Sequence, residues 1–335
     1  MVTMPEHHSS QRQLNSRALW YVAPQRAEIR SEPIDALQPS QVQVRTLYGA
    51  LSRGTESLVW AGRVPVVEYQ RMRAPFMDGE FPFPVKYGYS SVGCVEKGPA
   101  ELLGKLVFSL SPHQTILNLS SESVTVLPSS VPPARAVLAA NMETALNAVW
   151  DAAPGPADRI AIVGGGVVGM LVAFLCGQLP GADVTLVDIN PERQKVANTL
   201  GVKFATPGQA PNECDLVVHC SGAPQGLVTA LSLAGEEATV LEMSWYGDQP
   251  VTANLGGAFH SRQLRLQSSQ VGHISVSRRA RWNYARRLSA ALALLSDPRL
   301  EVLLAPAIMF NDLPEQLPKI LGPGNSILCQ LIQYD

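Results

Sequence analysis

Gly164, Gly166 and Gly169 stand in the spacing G-x-G-x-x-G, as Gly164-Gly165-Gly166-Val167-Val168-Gly169, directly after the apolar run 160–163 and at the head of another. A strand that turns through such a loop into a helix offers free backbone N–H groups and a positive partial charge to phosphates. Gly164 then makes the tight turn, Gly166 lets the backbone approach a pyrophosphate, and Gly169 lets helix and strand pack closely, with Val167 and Val168 opening the helix. A Gly-rich turn without a ligand is the plainer alternative. Asp188, nineteen residues beyond Gly169, ends the next apolar run. A carboxylate there accepts hydrogen bonds from the adenosine ribose and repels a 2′-phosphate, which favours NAD; Arg193 offers that phosphate a cation and keeps NADP open.

A nicotinamide reaction also needs a group that handles the proton of the substrate oxygen. His113, in Pro112-His113-Gln114, has the residue type for a general base near neutral pH. Glu56 and Glu143 are candidates to act as a base or to orient Arg53, a structural Arg–Glu pair being the plainer reading. Trp245 and Tyr246 follow the apolar run 238–243, where a parallel sheet collects its ligands, and are read as walls for the nicotinamide or substrate, with plain packing the alternative.

Two kinds of pattern must position these residues. The run 41–47 alternates polar and apolar, the period of a strand with one wet face. With the runs 18–22, 91–95, 105–110 and 123–127 it implies a small antiparallel barrel or sandwich, followed by a helix over 134–150. Beyond Arg159 the runs 160–163, 183–188, 215–220 and 238–243 read as buried strands of a parallel sheet with helices between the first three. A helix over 278–295 and strands at 307–310 and 327–332 complete the expectation.

Composition narrows the classes. The chain has 335 residues, 46% hydrophobic and 16% charged, with 26 Lys+Arg against 28 Asp+Glu and a formal net charge of −2. That is a globular chain of two-domain size with no global pull toward nucleic acid or anionic membrane. Five cysteines without a CxxC pair fit neither a disulfide framework nor a zinc knuckle and suit a reducing cytoplasm. The polar stretch 1–16 is read as a mobile arm without the apolar core of a signal peptide. The arginines at 278, 279, 281, 286 and 287 are read as a solvated helical face, with steering of an anionic substrate second.

The chain resembles the medium-chain dehydrogenase/reductase superfamily over nearly its full length. The likeness rests on Gly54-Thr55-Glu56, the stretch 88–93, the stretch 104–108, the glycine motif and Asp188. Leu51-Ser52-Arg53-Gly54-Thr55-Glu56, Ala61-Gly62-Arg63-Val64-Pro65 and Tyr87-Gly88-Tyr89 look most like its bacteriochlorophyllide a dehydrogenase-like branch, associated with NAD-linked oxidation of a hydroxyethyl side chain. The resemblance implies an α/β fold: a GroES-like β-rich catalytic domain, over 17–135 and 298–335, plus a Rossmann doubly wound parallel sheet over 136–297. Zinc-dependent members carry ligands where Arg53, Tyr89 and approximately Glu143 stand here, so no metal is expected. Thr55 aligns with a proton-relaying hydroxyl, and Tyr89 is a candidate donor if Lys86 or Arg53 lowers its pKa. Arg53, Glu56, Trp245 and Tyr246 would then line the substrate pocket. The implied function is zinc-independent hydride transfer between NAD and a secondary alcohol or ketone, by a cytoplasmic homodimer that binds a small molecule and neither nucleic acid nor membrane. NADPH-dependent enone or quinone reduction, and a silent dinucleotide-binding protein, are the alternatives.

Overall fold

The computed structural model describes residues 15–335. The arm expected over 1–16 lies outside them except for Asn15 and Ser16, which open the strand Asn15–Ala23.

Six parallel strands lie side by side in the spatial order Lys203–Ala205, Asp183–Val187, Arg159–Val163, Cys214–His219, Ala234–Glu242 and Arg265–Ser268. In this doubly wound arrangement the connections reverse beside Arg159–Val163, which leaves a crevice at the carboxyl ends of the strands there. Arg159–Val163 is apolar on both sides because both faces are covered: Ile160 and Ile162 pack toward one cluster, Ala161 and Val163 toward another. The helix Val167–Cys176 follows the glycine loop and buries seven of its ten residues. Arg193–Leu200 ends at Gly201 and Pro224–Leu233 starts on a proline, the usual stop and start signals. Lys203–Ala205 and Arg265–Ser268 are strands the sequence pattern does not announce. The first has three residues, and the second is exposed at all four positions, so no apolar periodicity marks either.

The remaining strands form two further sheets. Arg26–Pro33, Asn15–Ala23, Val85–Lys86 and Asp78–Gly79 make one; Leu304–Met309, Cys329–Gln333, Gln41–Leu51, Ser91–Lys97, Leu106–Ser109 and Thr125–Val126 make the other, with Ile116–Ser120 also paired to Gln41–Leu51. Gln330 pairs with Leu51 and Gln333 with Tyr48, so the tail of the chain completes a sheet begun near its start. The strand expected over 123–127 shrinks to Thr125–Val126, because Ser121–Ser123 forms a 3-10 turn. The helix expected over 134–150 divides into Pro133–Ala136 and Ala139–Ala152. That expected over 278–295 shortens to Tyr284–Leu294, since the Asn283 side chain accepts from Arg286 N and caps the helix there.

One core cluster joins the two parts: Ala50, Val92 and Phe108 pack with Met142 and Ala145 of Ala139–Ala152 and with Ile160 and Met170. A second, around Tyr21, Trp60, Phe81 and Phe310, lies under the helix Arg53–Trp60. All five cysteines are free, and no helix of the described residues is long and apolar enough to cross a membrane.

Candidate cofactor and active site

The glycine loop is built by close approach. Gly164 has φ +113°, and a Cβ on it would lie 2.6 Å from Ser221 N and Cα. A Cβ on Gly169 would lie 1.9 Å from the Gly164 carbonyl oxygen, so the helix packs against the loop only without one. Nothing lies within 4 Å of a Cβ on Gly166, which leaves an open cradle at the start of Val167–Cys176 where the N–H groups have no intrahelical partner. Asp188 folds back on this loop: Oδ2 accepts from Gly165 N at 2.5 Å and Oδ1 from Asn190 N at 2.7 Å.

Two arginines border the loop. Arg193 donates to the Ser326 carbonyl at 2.7 Å, and Arg53 to those of Ile327 at 2.7 Å and Asn325 at 3.4 Å. The buried Nε of Arg53 has no partner. Burial lowers the pKa of both guanidiniums; Arg193 lowers that of Arg53 further, while Asp188 and Glu192 oppose the lowering at Arg193. This convergence of residues far apart in the chain left no sign in the sequence beyond the residue types.

Across the crevice, Arg53–Trp60 carries Thr55 and Glu56 in its first turn. Glu56 is fully buried. Its Oε1 accepts from Ser52 N at 2.8 Å, and its Oε2 accepts from the Tyr21 hydroxyl at 2.8 Å and meets His113 Nε2 at 2.9 Å. His113 is therefore no exposed loop histidine. Its ring is enclosed against Gly88 and its Nδ1 has no partner. Tyr89 is half-buried, with the Ser52 and Thr55 side chains near its hydroxyl. Burial and then Glu56 push its pKa up from 10.0 to about 12, against the opposite pull of Ser52 and Thr55. The expected lowering by a cation does not occur. Lys86 is bound to Glu32 at 2.7 Å and Arg53 to the backbone carbonyls, so neither neutralises the phenolate.

Thr55 and Tyr89 thus lie near Ser52, whose hydroxyl accepts from Asn141 Nδ2 at 3.5 Å. Ser52 and Asn141 are polar neighbours that sequence reasoning missed, since neither residue type nor spacing marks them. Glu143 faces elsewhere: its Oε1 accepts from Arg287 Nε at 3.0 Å, while Arg287 also donates to Asn147 Oδ1 at 2.7 Å and the Val271 carbonyl at 2.6 Å. Burial raises the Glu143 carboxyl, opposed by Arg287. Arg287 is accordingly a core cation, not part of a solvated face, while Arg279, Arg281 and Arg286 are exposed. Trp245 packs on the cluster under Arg53–Trp60, and Arg63 pairs with Asp248 at 2.8 Å, so the 244–248 loop bridges the crevice. Tyr246 donates to Glu242 Oε2 at 2.9 Å.

Arg53, Tyr89 and Glu143 do not make a zinc site. A guanidinium cannot ligate, the phenol is held protonated, and the one carboxylate is spent on Arg287. Among the described residues no group of three or more His, Cys, Asp or Glu side chains could hold a metal.

No family model matches the chain. Several solved structures share its fold. L-Idonate 5-dehydrogenase from Escherichia coli superposes with a TM-score of 0.78 at 13% identity, covering 96% of this chain and 99% of that one. A short chain alcohol dehydrogenase from E. coli complexed with NADH gives 0.76 at 15%, covering 96% and 99%. A putative zinc-binding dehydrogenase from Sinorhizobium meliloti bound to NADP gives 0.75 at 16%, covering 96% and 100%. The fold is a β-rich GroES-like part joined to a Rossmann sheet.

Proposed function

We propose that the chain is an oxidoreductase of the medium-chain dehydrogenase/reductase type that binds NAD in the crevice and exchanges a hydride with a secondary alcohol or its ketone without zinc. The observation that carries this reading is the glycine loop with its open cradle at Gly166, placed where the strand order reverses and faced by the Tyr89–Thr55–Ser52 hydroxyls. The similar folds bound to NADH and NADP support the cofactor class.

The residues fit a dinucleotide. The first N–H groups of Val167–Cys176, with Arg53 and Arg193, would hold its phosphates, and Asp188 its adenosine ribose. When bound, the nicotinamide supplies the hydride donor or acceptor. The protein supplies the rest. With its pKa at about 12, the Tyr89 phenol is protonated at neutral pH and acts as a donor to a substrate oxygen, suited to polarising a ketone. Thr55 and Ser52 stand beside that phenol, and Glu56, fixed by Tyr21 and His113, holds the helix that carries Thr55. His113 and Glu143 take positioning and packing roles in this reading, and the 244–248 loop with Trp245 and Tyr246 closes one side of the pocket.

The test is nicotinamide absorbance over a panel of secondary alcohols, ketones and enones, with and without a zinc chelator. Turnover of ketones that survives chelation is expected. Turnover of enones alone would favour the double-bond reductase, and saturable NAD binding without turnover the silent binding protein. Asp188→Ala is expected to weaken NAD by roughly tenfold, the loss of charge-assisted hydrogen bonds to the ribose, and to favour NADP by removing the repulsion of its 2′-phosphate. Equal losses for both, read by calorimetric titration, would overturn the NAD preference.

A further inference from the structure

At the carboxyl ends of Cys214–His219 and Ala234–Glu242, three side chains form a chain of short contacts that no role above requires. His219 Nδ1 meets Glu242 Oε2 at 2.7 Å, and His219 Nε2 meets Ser221 Oγ at 2.7 Å. His219 is fully buried, the Glu242 side chain is 15% exposed, and Ser221 is exposed. His219 pairs in register with Val163 on one side and Glu242 on the other, so an ionisable pair stands at the strand ends beside the apolar Val163 and Val187. Burying such a pair costs free energy that an aliphatic pair would not, which marks it as a functional candidate.

The carboxylate is held firmly. Ser244 N donates to Oε1 at 2.7 Å and the Tyr246 hydroxyl to Oε2 at 2.9 Å. Burial alone would raise its pKa, but His219 and Ser244 outweigh that and hold it below the usual carboxylate value. An ionised Glu242 draws the ring hydrogen to Nδ1, which leaves Nε2 as an acceptor for the Ser221 hydroxyl hydrogen. With its hydrogen turned inward, Ser221 Oγ accepts from Ala223 N at 3.2 Å and keeps one lone pair for a donor outside the protein. Space is reserved for this arrangement: a Cβ on Gly226 would lie 2.1 Å from Ser221 Oγ and 2.5 Å from His219 Nε2.

We propose that Ser221 binds a ribose hydroxyl of the dinucleotide, with His219 and Glu242 as positioning residues that fix its hydroxyl as an acceptor. The ligand class follows from placement. Ser221 backbone atoms abut Gly164, and Asp188 lies on the opposite side of the strand Arg159–Val163. With the adenosine half on the Asp188 side, the hydroxyls that reach Ser221 belong to the second ribose. The inference rests on the dinucleotide reading above.

Calorimetric titration of the full chain with ADP and with ADP-ribose tests it, because only the latter carries the second ribose. Ser221→Ala should weaken ADP-ribose roughly five- to tenfold, the loss of one hydrogen bond, and leave ADP unchanged. Glu242→Gln should shift the same ratio by less than Ser221→Ala, since the amide donates to Nδ1, moves the ring hydrogen to Nε2 and turns the Ser221 hydroxyl outward as a donor that the ribose hydroxyl can still accept, in a reversed and less well aimed bond. A merely structural role would leave the ratio of the two affinities as in the wild type. Ser221→Ala changes only an exposed side chain and decides the matter even if Glu242→Gln fails to fold. If the wild type binds both ligands and Ser221→Ala preserves their ratio, this site falls alone. If the wild type binds neither, the dinucleotide reading falls with it.

Discussion

Glu56→Ala is expected to lower the unfolding free energy by about 3 kcal/mol or more, at roughly 1–3 kcal/mol for each buried polar group left without its partner. The alanine would leave the Tyr21 hydroxyl, Ser52 N and His113 Nε2 without their acceptor. His113 would suffer most, because its Nδ1 already lacks a partner and both ring nitrogens would then be buried and unpaired. Glu56→Gln keeps one acceptor oxygen and should cost less. Denaturant unfolding with matched m-values measures both. A loss for Glu56→Ala below about 1 kcal/mol would mean that water replaces the carboxylate and that the network does not hold the helix Arg53–Trp60.

Tyr89→Phe is expected to lower kcat for ketone reduction by about 100-fold or more, the lower end of what a positioned general acid contributes, with dinucleotide affinity unchanged. The phenylalanine keeps the ring packed edge-on to Tyr87 and removes only the hydroxyl opposite Ser52 and Thr55. A kcat within threefold of the wild type would remove Tyr89 from the chemistry. The pH dependence follows from the same environment. The folded chain holds the Tyr89 proton to about 12, whereas an unfolded tyrosine loses it near 10.0. Between those values the unfolded chain releases the proton first, so this residue's contribution to stability falls as pH rises through that window. Below it Tyr89 adds no slope, and the rate of ketone reduction should show no break from this group near neutral pH.

Much of the architecture was legible because it is written in local patterns. The alternation of 41–47 and the apolar runs 160–163, 183–188 and 215–220 specify which faces are covered, and the strands Gln41–Leu51, Arg159–Val163, Asp183–Val187 and Cys214–His219 follow. Polar, short or bounded elements escaped for the opposite reason. Arg265–Ser268 owes its strand to pairing with Ala234–Glu242, and the helix at Tyr284 begins where Asn283 caps it rather than where helical spacing starts. Residue types alone named Glu56, His113, Glu143 and Arg53 as candidates for chemistry. They could not name their partners: Glu56 finds His113 from 57 residues away, and Glu143 finds Arg287 from 144.

By itself, then, the sequence determined the parallel sheet and the loop Gly164–Gly169, because a glycine where a Cβ would collide and an apolar run where both faces are buried are requirements a short segment carries alone. It also showed that an arginine, which cannot ligate zinc, and a tyrosine, a poor ligand for it, stand at positions 53 and 89, since donor chemistry belongs to the residue. Only the tertiary structure decided which candidates meet. Hydrogen bonds form over about 3 Å and buried charges take whatever partner folding brings to them. That placed Tyr89 with Ser52 and Thr55, shut His113 behind Glu56, consigned Glu143 to Arg287, and set His219 between Glu242 and Ser221 at the mouth of the crevice.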